Sequence, residues 1–301
     1  MDKTHKFGFI CIAGLPNAGK SSLINALVGE KVAIVSWRPQ TTRNRILGVT
    51  GGEGWQMAFI DTPGIHGARN KLGEYMMKSV EGALRDVDAV MYVVDSARGL
   101  RDEDRAFFEA NAGKHPIVVA VNKLDAVTQP TLFAVLSEIN SLPGVTAVVP
   151  VSAKRGDNLD TLKDELVKLL PEGAPMFPED MYTDSTLRFM AAEIVREKAL
   201  YLLDKEVPYG IGVYIQKFEF RQDGICDILA DIVCEKQSHK AIVIGKGGAT
   251  LKKIGEAARR DLEKLVDAKV YLELYVRVKA EWRDSEYLMR ELGYDPKDIK
   301  D

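Results

Sequence analysis

The sequence predicts an open α/β sheet followed by a smaller α+β domain, and two observations support this fold class. As far as residue 170, short apolar runs of strand length alternate with stretches whose apolar residues recur at helical spacing, a pattern typical of a mostly parallel sheet. Beyond residue 180 the pattern becomes helix, two strands, helix and strand. Pro171, Pro175 and Pro178 lie between the two patterns and interrupt both helix and strand.

The composition supports two domains of an ordinary globular protein. The 301 residues exceed the usual size of one domain, and 46% of them are hydrophobic and 28% charged. Because the formal net charge is −3, any surface that binds nucleic acid must be local. Three cysteines without a C-x-x-C pair argue against a disulfide framework and a zinc site. No apolar run reaches about 18 residues and the first residues lack a signal-peptide core, so we expect a cytoplasmic protein.

The element bounds follow from these patterns. In the first domain, strands are predicted at residues 7–13, 31–36, 55–60, 89–94, 116–121 and 145–151, and helices at 22–28, 102–112 and 156–170. In the second domain we predict a helix at 186–204, strands at 212–221 and 225–235, an apolar turn at 242–248, a helix at 249–266 and a strand at 269–278. The domains then span 1–175 and 186–301, with a linker at 176–185.

The first predicted strand runs into a loop that fits the phosphate-binding pattern G-x-x-x-x-G-K-S/T without a mismatch. Backbone N–H groups in such a turn, with the positive end of the following helix, form an anion site. Lys20 is predicted to reach the β and γ phosphates, and the Ser21 hydroxyl to bind Mg²⁺. The loop consists of Gly14, Leu15, Pro16, Asn17, Ala18, Gly19, Lys20 and Ser21.

Two further segments indicate a nucleotide-dependent switch. The polar stretch 37–43 follows the phosphate-loop helix, and we predict that Thr42, with Thr41 as the second choice, binds Mg²⁺ and faces the γ-phosphate. The strand at 55–60 ends in Asp61-Thr62-Pro63-Gly64. An aspartate at that position can hold the water shell of a metal ion, and the glycine can offer its N–H to the γ-phosphate.

The next strand ends predict recognition of the base. The strand at 116–121 runs into Asn122-Lys123-Leu124-Asp125, and the one at 145–151 into Ser152-Ala153-Lys154. A carboxylate at Asp125 can accept hydrogen bonds from the ring N–H and the amino group of guanine, which adenine does not present together. Asn122 is predicted to brace the loop, the stem of Lys123 to cover the ring, and the Ala153 N–H to contact the guanine oxygen. Ser152 and Lys154 would shape that loop.

The second domain contains a Gly-x-x-Gly loop at Gly245-Lys246-Gly247-Gly248, between the apolar stretch ending at Ile244 and a helix pattern. Such a loop lets a sugar-phosphate backbone approach the main chain while bases lie in an adjacent apolar groove. Between residues 236 and 260 there are seven basic residues and one acidic residue, so this region is locally positive. We predict that single-stranded RNA binds here, contacted by Ile244, Gly245, Lys246, Gly247, Gly248, Lys252 and Lys253.

Together these motifs resemble a Ras-like GTPase domain of the translation-factor class, and the segments Pro16-Asn17, Pro39-Gln40-Thr41-Thr42-Arg43 and Asp61-Thr62-Pro63-Gly64 resemble Era-type GTPases in particular. The second domain resembles a type II KH domain, in which a helix precedes the first strands. The resemblance covers nearly the whole chain. It implies that the protein binds and hydrolyses GTP to GDP and phosphate, with Mg²⁺ held by Ser21 and Thr42.

One residue departs from the common Ras-like pattern. Many of these enzymes place a glutamine after the Asp-x-x-Gly glycine to orient the attacking water, whereas this chain has Ile65. We therefore expect slow hydrolysis. Some relatives use a potassium ion held by the loop asparagine, and the hypothesis for this chain is a K⁺ site at Asn17. His66 is interpreted as a bystander, since a loop histidine is seldom catalytic.

Three functions remain open at this point. The first is a GTP-hydrolysing switch that controls RNA binding, the second an RNA-binding module with GTP as a structural ligand, and the third a metabolic P-loop kinase. The resemblance favours the first and implies binding to 16S ribosomal RNA near its 3′ end, together with a role in assembly of the 30S ribosomal subunit. The resemblance also suggests a peripheral association with the inner face of the cell membrane. We expect the protein to be a monomer.

Overall fold

The structure is a computed structural model that describes residues 5–65, 67, 68 and 70–295, and these divide into two compact units. The first unit contains residues 5–65, 67 and 76–184. The second contains residues 68, 70–75 and 185–295. Within the described residues, no helix combines the length and the apolar character needed to cross a bilayer.

The first unit is built on a six-stranded sheet of spatial order β2-β3-β1-β4-β5-β6, in which only β2 runs antiparallel to its neighbour. The carboxyl ends of the parallel strands therefore share one edge of the sheet. The strands are β1 (Lys6–Ala13), β2 (Ile46–Gly52), β3 (Trp55–Asp61), β4 (Ala89–Asp95), β5 (Ile117–Asn122) and β6 (Val145–Pro150). The helices that accompany these strands are α1 (Lys20–Val28), α2 (Lys71–Ala83), α3 (Asp102–Asn111), α4 (Gln129–Ile139) and α5 (Leu159–Leu169), and residues 71–75 of α2 count with the second unit.

The strands of this sheet are buried on both faces. In β1 the side chains of Ile10 and Ile12 join one apolar cluster with α1 and α5, while Cys11 joins the opposite cluster with Phe107 and Phe108 of α3. Strand β4 is buried along its whole length. Two covered faces explain why the strand sequences are continuously apolar rather than alternating.

The predicted strand at 31–36 is wrong, and β2 was not predicted. Val32 and Ala33 are buried, but their backbone groups bond to the side chain of Asn25 instead of a neighbouring strand. The true second strand contains three glycines and gives a weak strand signal. One of them, Gly48, is needed because a Cβ there would lie 2.8 Å from Cδ1 of Ile24. Helices α2 and α4 were not predicted from the sequence either.

Residues 176–184, most of the predicted linker, count with the first unit. The buried side chain of Gln56 donates to the carbonyl of Phe177 and accepts from the N–H groups of Met176 and Phe177, at 2.8–3.0 Å. Further along, the Val49 N–H donates to the carbonyl of Tyr182. This stretch therefore packs along the sheet instead of running free.

The second unit has a three-stranded sheet of order β7-β8-β9, with β7 antiparallel and β9 parallel to β8. Its strands are β7 (Gly212–Phe220), β8 (Cys226–Cys234) and β9 (Val270–Val278). Its helices are α6 (Leu187–Leu202), α7 (Gln237–Ile244), α8 (Ala249–Val266) and α9 (Glu286–Glu291). One apolar cluster joins one face of this sheet to α6 and α8.

The prediction of an apolar turn at 242–248 is wrong in part. Residues 237–244 form helix α7, Gly245 follows as its C-cap, and a single short turn leads to α8 at Ala249. The Gly-x-x-Gly loop therefore joins two helices. The predicted α/β and α+β classes of the two domains are confirmed.

We expect Gln56→Ala to release residues 176 and 177 from the sheet. The substitution removes three hydrogen bonds and leaves backbone groups without partners, which costs about 2 kcal/mol of local stability. Hydrogen exchange measured by mass spectrometry should show faster exchange of the amides at 176 and 177. Gln129→Ala, at an exposed position of α4, should leave their exchange unchanged. Equal exchange in Gln56→Ala and wild type would contradict this role.

Candidate functional site

The phosphate loop lies between β1 and α1. Glycine is required at two of its positions, because a Cβ atom there would collide with neighbouring atoms. Gly14 has φ +140°, and a Cβ there would lie 2.5 Å from the carbonyl oxygen of Val93. Gly19 has φ +98°, and a Cβ would lie 2.2 Å from Nδ2 of Asn122. Gly64 of the Asp-x-x-Gly segment meets the loop as well, since its Cβ would be 2.9 Å from Cα of Pro16. The predicted loop and the predicted segment are thus in contact.

Lys20, the first residue of α1, is buried and turns back into the loop. Its Nζ donates to the carbonyl oxygens of Gly14 at 3.0 Å and Leu15 at 3.1 Å. Burial lowers the pKa of Lys20 to about 8, although the negative charge of Asp61 acts to raise it. A phosphate group at the loop would favour the charged amine, because an opposite charge stabilises the ionised form.

Oxygen atoms from three segments converge beside Lys20. Ser21 Oγ donates to Asp61 Oδ2 at 3.0 Å and lies 2.7 Å from Thr42 Oγ1, which donates to the same carboxylate oxygen at 3.3 Å. The other oxygen of Asp61 is buried without a hydrogen-bond partner among the described residues. Burial also raises the pKa of Asp61 to about 6, although the positive charge of Lys20 and the two hydroxyl donors act to lower it. Hydroxyl and carboxylate oxygens in this arrangement fit a hard divalent cation such as Mg²⁺.

Thr41, Thr42 and Gly64 line one cleft together with part of the phosphate loop, from Pro16 to Ser21. Thr41 donates its hydroxyl to the carbonyl of Arg38 at 2.6 Å, so Thr42 is the threonine that reaches Ser21 and Asp61. Thr62 is buried and donates to the carbonyl of Ile12. Pro63 is buried beside it.

Ile65 follows Gly64 on the loop side of the site. Its N–H donates to the carbonyl of Gly14 at 3.3 Å, and its side chain packs against the apolar cluster around β4 and β5. No polar atom of this side chain is available to orient water. His66, interpreted above as a bystander, lies outside the described residues.

Asn122 joins the phosphate loop to the predicted base-binding loop. At the end of β5, its Nδ2 donates to the carbonyl of Ala18 at 3.1 Å, and its Oδ1 accepts from the Ala153 N–H at 3.1 Å. The Ala153 N–H, predicted to contact the guanine oxygen, is thus directed at Asn122 in this structure. The side chain holds both loops at a fixed separation.

Ser152 holds the carboxylate predicted to select guanine. Its buried hydroxyl donates to Asp125 Oδ1 at 2.7 Å and also accepts from the N–H of Arg155. This hydrogen bond lowers the pKa of Asp125, and the positive charges of Arg155 and Lys154 act in the same direction. Asp125 is therefore ionised near neutral pH, as a hydrogen-bond acceptor for guanine must be.

Lys123 makes a contact that the sequence analysis missed. Its Nζ donates to the carbonyl of Asn17 at 2.8 Å and to Asp95 Oδ2 at 2.7 Å. Asp95 is buried at the end of β4, and Asn17 and Lys123 both have positive φ, +65° and +67°. Asp95 follows a continuously apolar strand as Asn122 does, and that shared position is the signal that could have indicated it.

In the second unit, the Gly-x-x-Gly loop presents basic side chains beside an apolar cleft. Gly245 has φ +72°, and a Cβ there would lie 2.2 Å from Oγ1 of Thr250. Lys246, Lys252 and Lys253 are exposed, and Ile244 is partly buried. The cleft runs between α8 and the edge strand β9, starting at Gly248.

Comparisons with known proteins agree with both domains. Residues 9–123 match a family described as 50S ribosome-binding GTPase, and residues 206–283 match the KH domain family. The GTPase Era of Clostridium botulinum strain Okra is 46% identical over 290 residues, covering 96% of this chain and 98% of that protein. Aquifex aeolicus Era bound to GDP and AlF4⁻ superposes with a TM-score of 0.92 at 39% identity, covering 96% of this chain and 99% of that one.

A second Era structure, in complex with MgGDPNP and nucleotides 1506–1542 of 16S ribosomal RNA, gives the same TM-score and identity and covers 97% of this chain and 99% of that one. Fold and site thus define a P-loop GTPase domain followed by a KH domain. The chain belongs to the Era family of GTPases, enzymes that hydrolyse GTP to GDP and phosphate. The predicted family and enzyme class are confirmed, and the kinase alternative is excluded.

We expect Gly19→Ala to abolish nucleotide binding, because the new Cβ would collide with Nδ2 of Asn122 and break the link between the two loops. Gly29→Ala is the matched control. Gly29 also has positive φ, +88°, but a Cβ there meets nothing within 4 Å. It should cost about 1 kcal/mol of stability and leave the dissociation constant for labelled GDP unchanged. Equal binding losses in both variants would assign the effect to backbone strain alone.

Proposed function

We propose that this protein is a slowly hydrolysing GTP switch that binds single-stranded 16S ribosomal RNA near its 3′ end and assists maturation of the 30S subunit. The observation that carries the proposal is the presence in one chain of a nucleotide site arranged to select guanine and of a Gly-x-x-Gly loop whose basic side chains lie beside an apolar cleft. The Era structure with MgGDPNP and 16S nucleotides 1506–1542 supports the choice of RNA, since it is 39% identical over 97% of this chain.

At the nucleotide site, the roles follow from the contacts described above. Ser21 and Thr42 would hold Mg²⁺, with Asp61 supporting the ion through its unpartnered oxygen. Bound Mg²⁺ would neutralise charge that develops on the phosphates. Lys20 and the loop backbone would bind the phosphates of GTP or GDP, and Asp125, ionised and held by Ser152, would select guanine.

The switch would lie in the segments around Thr42 and Ile65. Thr42 has its hydroxyl in the cluster with Ser21 and Asp61, and Ile65 is tied to Gly14 by one hydrogen bond of 3.3 Å. Groups at the γ-phosphate position would therefore contact both segments, and hydrolysis would release them. The change would then alter the affinity of the KH domain for RNA.

We propose that the protein acts as a monomer on the 30S subunit in the cytoplasm. The membrane periphery is the alternative location, and fractionation of cells would distinguish the two. A membrane pool that persists in high salt would contradict the cytoplasmic assignment.

We expect hydrolysis to depend on potassium through Asn17. Ile65 has no polar group to position the attacking water. Hydrolysis would therefore need another source of positive charge near the phosphates. Asn17 has a fixed left-handed conformation and lines the cleft beside Lys20. Single-turnover hydrolysis of GTP should be at least about tenfold faster in potassium than in sodium buffer. Asn17→Ala should remove the difference.

Gln40→Ala provides the control for this experiment, because Gln40 lines the same cleft with φ +61° but lies outside the phosphate loop. It should retain the potassium dependence. Equal wild-type rates in the two buffers would remove the potassium proposal while leaving the GTPase assignment intact.

We expect RNA binding to be salt-dependent and to involve the loop lysines. Fluorescence anisotropy with a labelled single-stranded RNA from the 3′ end of 16S ribosomal RNA should show weaker binding by Lys246→Ala and Lys253→Ala. Each should lower the slope of log affinity against log salt by about 1, as expected for one lost phosphate contact. Lys264→Ala, three turns beyond Lys253 on α8, should behave as wild type.

The same titration tests the switch. Affinity for RNA should differ between the GDP state and the state with a non-hydrolysable GTP analogue. Equal affinities would contradict nucleotide control, and absence of binding at low salt in every nucleotide state would contradict the RNA-binding function itself.

A further inference from the structure

Helix α8 contains a glycine in its interior, at the wall of the cleft beside the Gly-x-x-Gly loop. Gly255 lies well inside the helix, which runs from Ala249 to Val266. Its φ lies outside the left-handed region, so the backbone conformation does not require glycine. In the interior of a helix glycine is among the least favourable residues and alanine is the most favourable. Alanine would therefore give a more stable helix at this position.

Packing does not require glycine at position 255 either. A Cβ there would lie 3.5 Å from Cδ1 of Leu274 in β9, which is an ordinary van der Waals contact, and it would meet no other described atom within 4 Å beyond its chain neighbours and the local helix backbone. At Gly245, by contrast, a Cβ would lie 2.2 Å from Oγ1 of Thr250. The chain itself therefore leaves room for a methyl group in front of Gly255.

This room opens into the cleft between α8 and β9. Gly255 lines the cleft, as do Leu272 and Leu274 of β9, which also pack against the apolar cluster between the sheet and α8. Lys252, three residues earlier, and Arg259, four residues later, lie on the same side of the helix and are exposed. They stand about 10 Å apart along the helix axis. We call this space, apolar in the middle with a cation at each end, the Gly255 notch.

The shape and charges of the Gly255 notch fit a nucleotide of single-stranded RNA. A flat base can lie against bare main chain and leucine side chains, and the cations at the two ends suit phosphates of the RNA backbone. Glu256 also lines the cleft, and its carboxylate lies 4.0 Å from Nζ of Lys252. An exposed ion pair at that distance is weak, so Lys252 can still bind a phosphate.

We propose that Gly255 is the position that admits a base of single-stranded RNA to the cleft. The base lies in the Gly255 notch against the main chain of α8, and phosphates on either side of it meet Lys252 and Arg259. Gly255 contributes to RNA affinity through the absence of a side chain, since a methyl group would hold the base away from the helix. A base that is paired in a duplex could not enter the notch. This inference rests on the proposed RNA-binding function.

The test measures RNA affinity and helix stability together, because the proposal predicts opposite changes in the two. Gly255→Ala in the full chain should weaken binding of a labelled single-stranded RNA of about eight nucleotides, from the 3′ end of 16S ribosomal RNA, about tenfold in fluorescence anisotropy. It should slow hydrogen exchange of the α8 amides about fivefold, since alanine stabilises the helix. The slope of log affinity against log salt should not change, because Lys252 and Arg259 keep their phosphates.

Asp267→Gly provides the matched control for helix stability. Asp267 is the C-cap of α8 with φ +47°, so glycine at this position relieves strain and stabilises the end of the helix. It lies outside the set of residues that line the cleft. This variant should also slow exchange in α8, and it should bind the RNA at least as tightly as wild type. A loss of affinity confined to Gly255→Ala then reports on the space in the notch and not on helix rigidity.

RNAs that each lack one base test whether a base occupies the Gly255 notch. At one position of the RNA, removal of the base should weaken binding to wild type, and Gly255→Ala should cause no further loss with that RNA. The two changes are then non-additive, because the methyl group displaces a base that is already absent. If every abasic RNA were still weakened by Gly255→Ala, no base would lie in the notch and the proposal would be wrong.

Two further results would overturn the proposal. Wild-type RNA affinity of Gly255→Ala, with slower exchange in α8, would show that RNA leaves the notch empty. Faster exchange in Gly255→Ala would assign its loss of affinity to a disturbed helix. If wild type bound no RNA at low salt, the proposed RNA-binding function would fail, and that outcome is distinct from failure of the notch.

Discussion

The side chain of Asn122 holds the nucleotide site together. It bonds to the phosphate loop through Ala18 and to the base-binding loop through Ala153, and Gly19 leaves the space that its amide occupies. Phosphates and base of one nucleotide lie at opposite ends of the ligand, so a site for both needs a fixed distance between the two loops. Lys123 adds a second link, from Asp95 to the carbonyl of Asn17.

The floor of the site contains two opposite charges that are incompletely paired. Burial pushes both Lys20 and Asp61 toward their neutral forms, with pKa values of about 8 and about 6. Lys20 bonds to loop carbonyls, and one oxygen of Asp61 has no partner among the described residues. A phosphate and a divalent cation would favour the charged forms of these groups. The burial that disfavours the charged forms of Lys20 and Asp61 therefore strengthens their attraction to a phosphate and a divalent cation.

The second unit reaches a binding cleft by a different route. Two helices, α7 and α8, meet at a tight turn that only glycine permits at position 245, because Thr250 occupies the space of a Cβ. The parallel edge strand β9 then forms the far wall. Main chain and basic side chains at the turn suit a sugar-phosphate backbone, while the wall offers apolar surface from Leu272 and Leu274.

The sequence by itself determined the fold class of both domains and the identity of the motifs. This was possible because each motif is a short run of consecutive residues, and its chemistry depends on glycine, lysine or aspartate at fixed spacing. The continuously apolar runs likewise indicated buried parallel strands, since helices cover both faces of such a sheet.

Only the tertiary structure decided which distant groups meet. Residues 32–34 are apolar because they are buried, but the side chain of Asn25 bonds to the backbone of Val32 and Ala33. Strand β2 forms despite three glycines because β3 pairs with it. The links from Lys123 to Asp95 and from Ser152 to Asp125 join residues far apart in the chain. Local pattern reports whether a residue is buried. Its partners are set by packing between elements, which no single stretch of sequence contains.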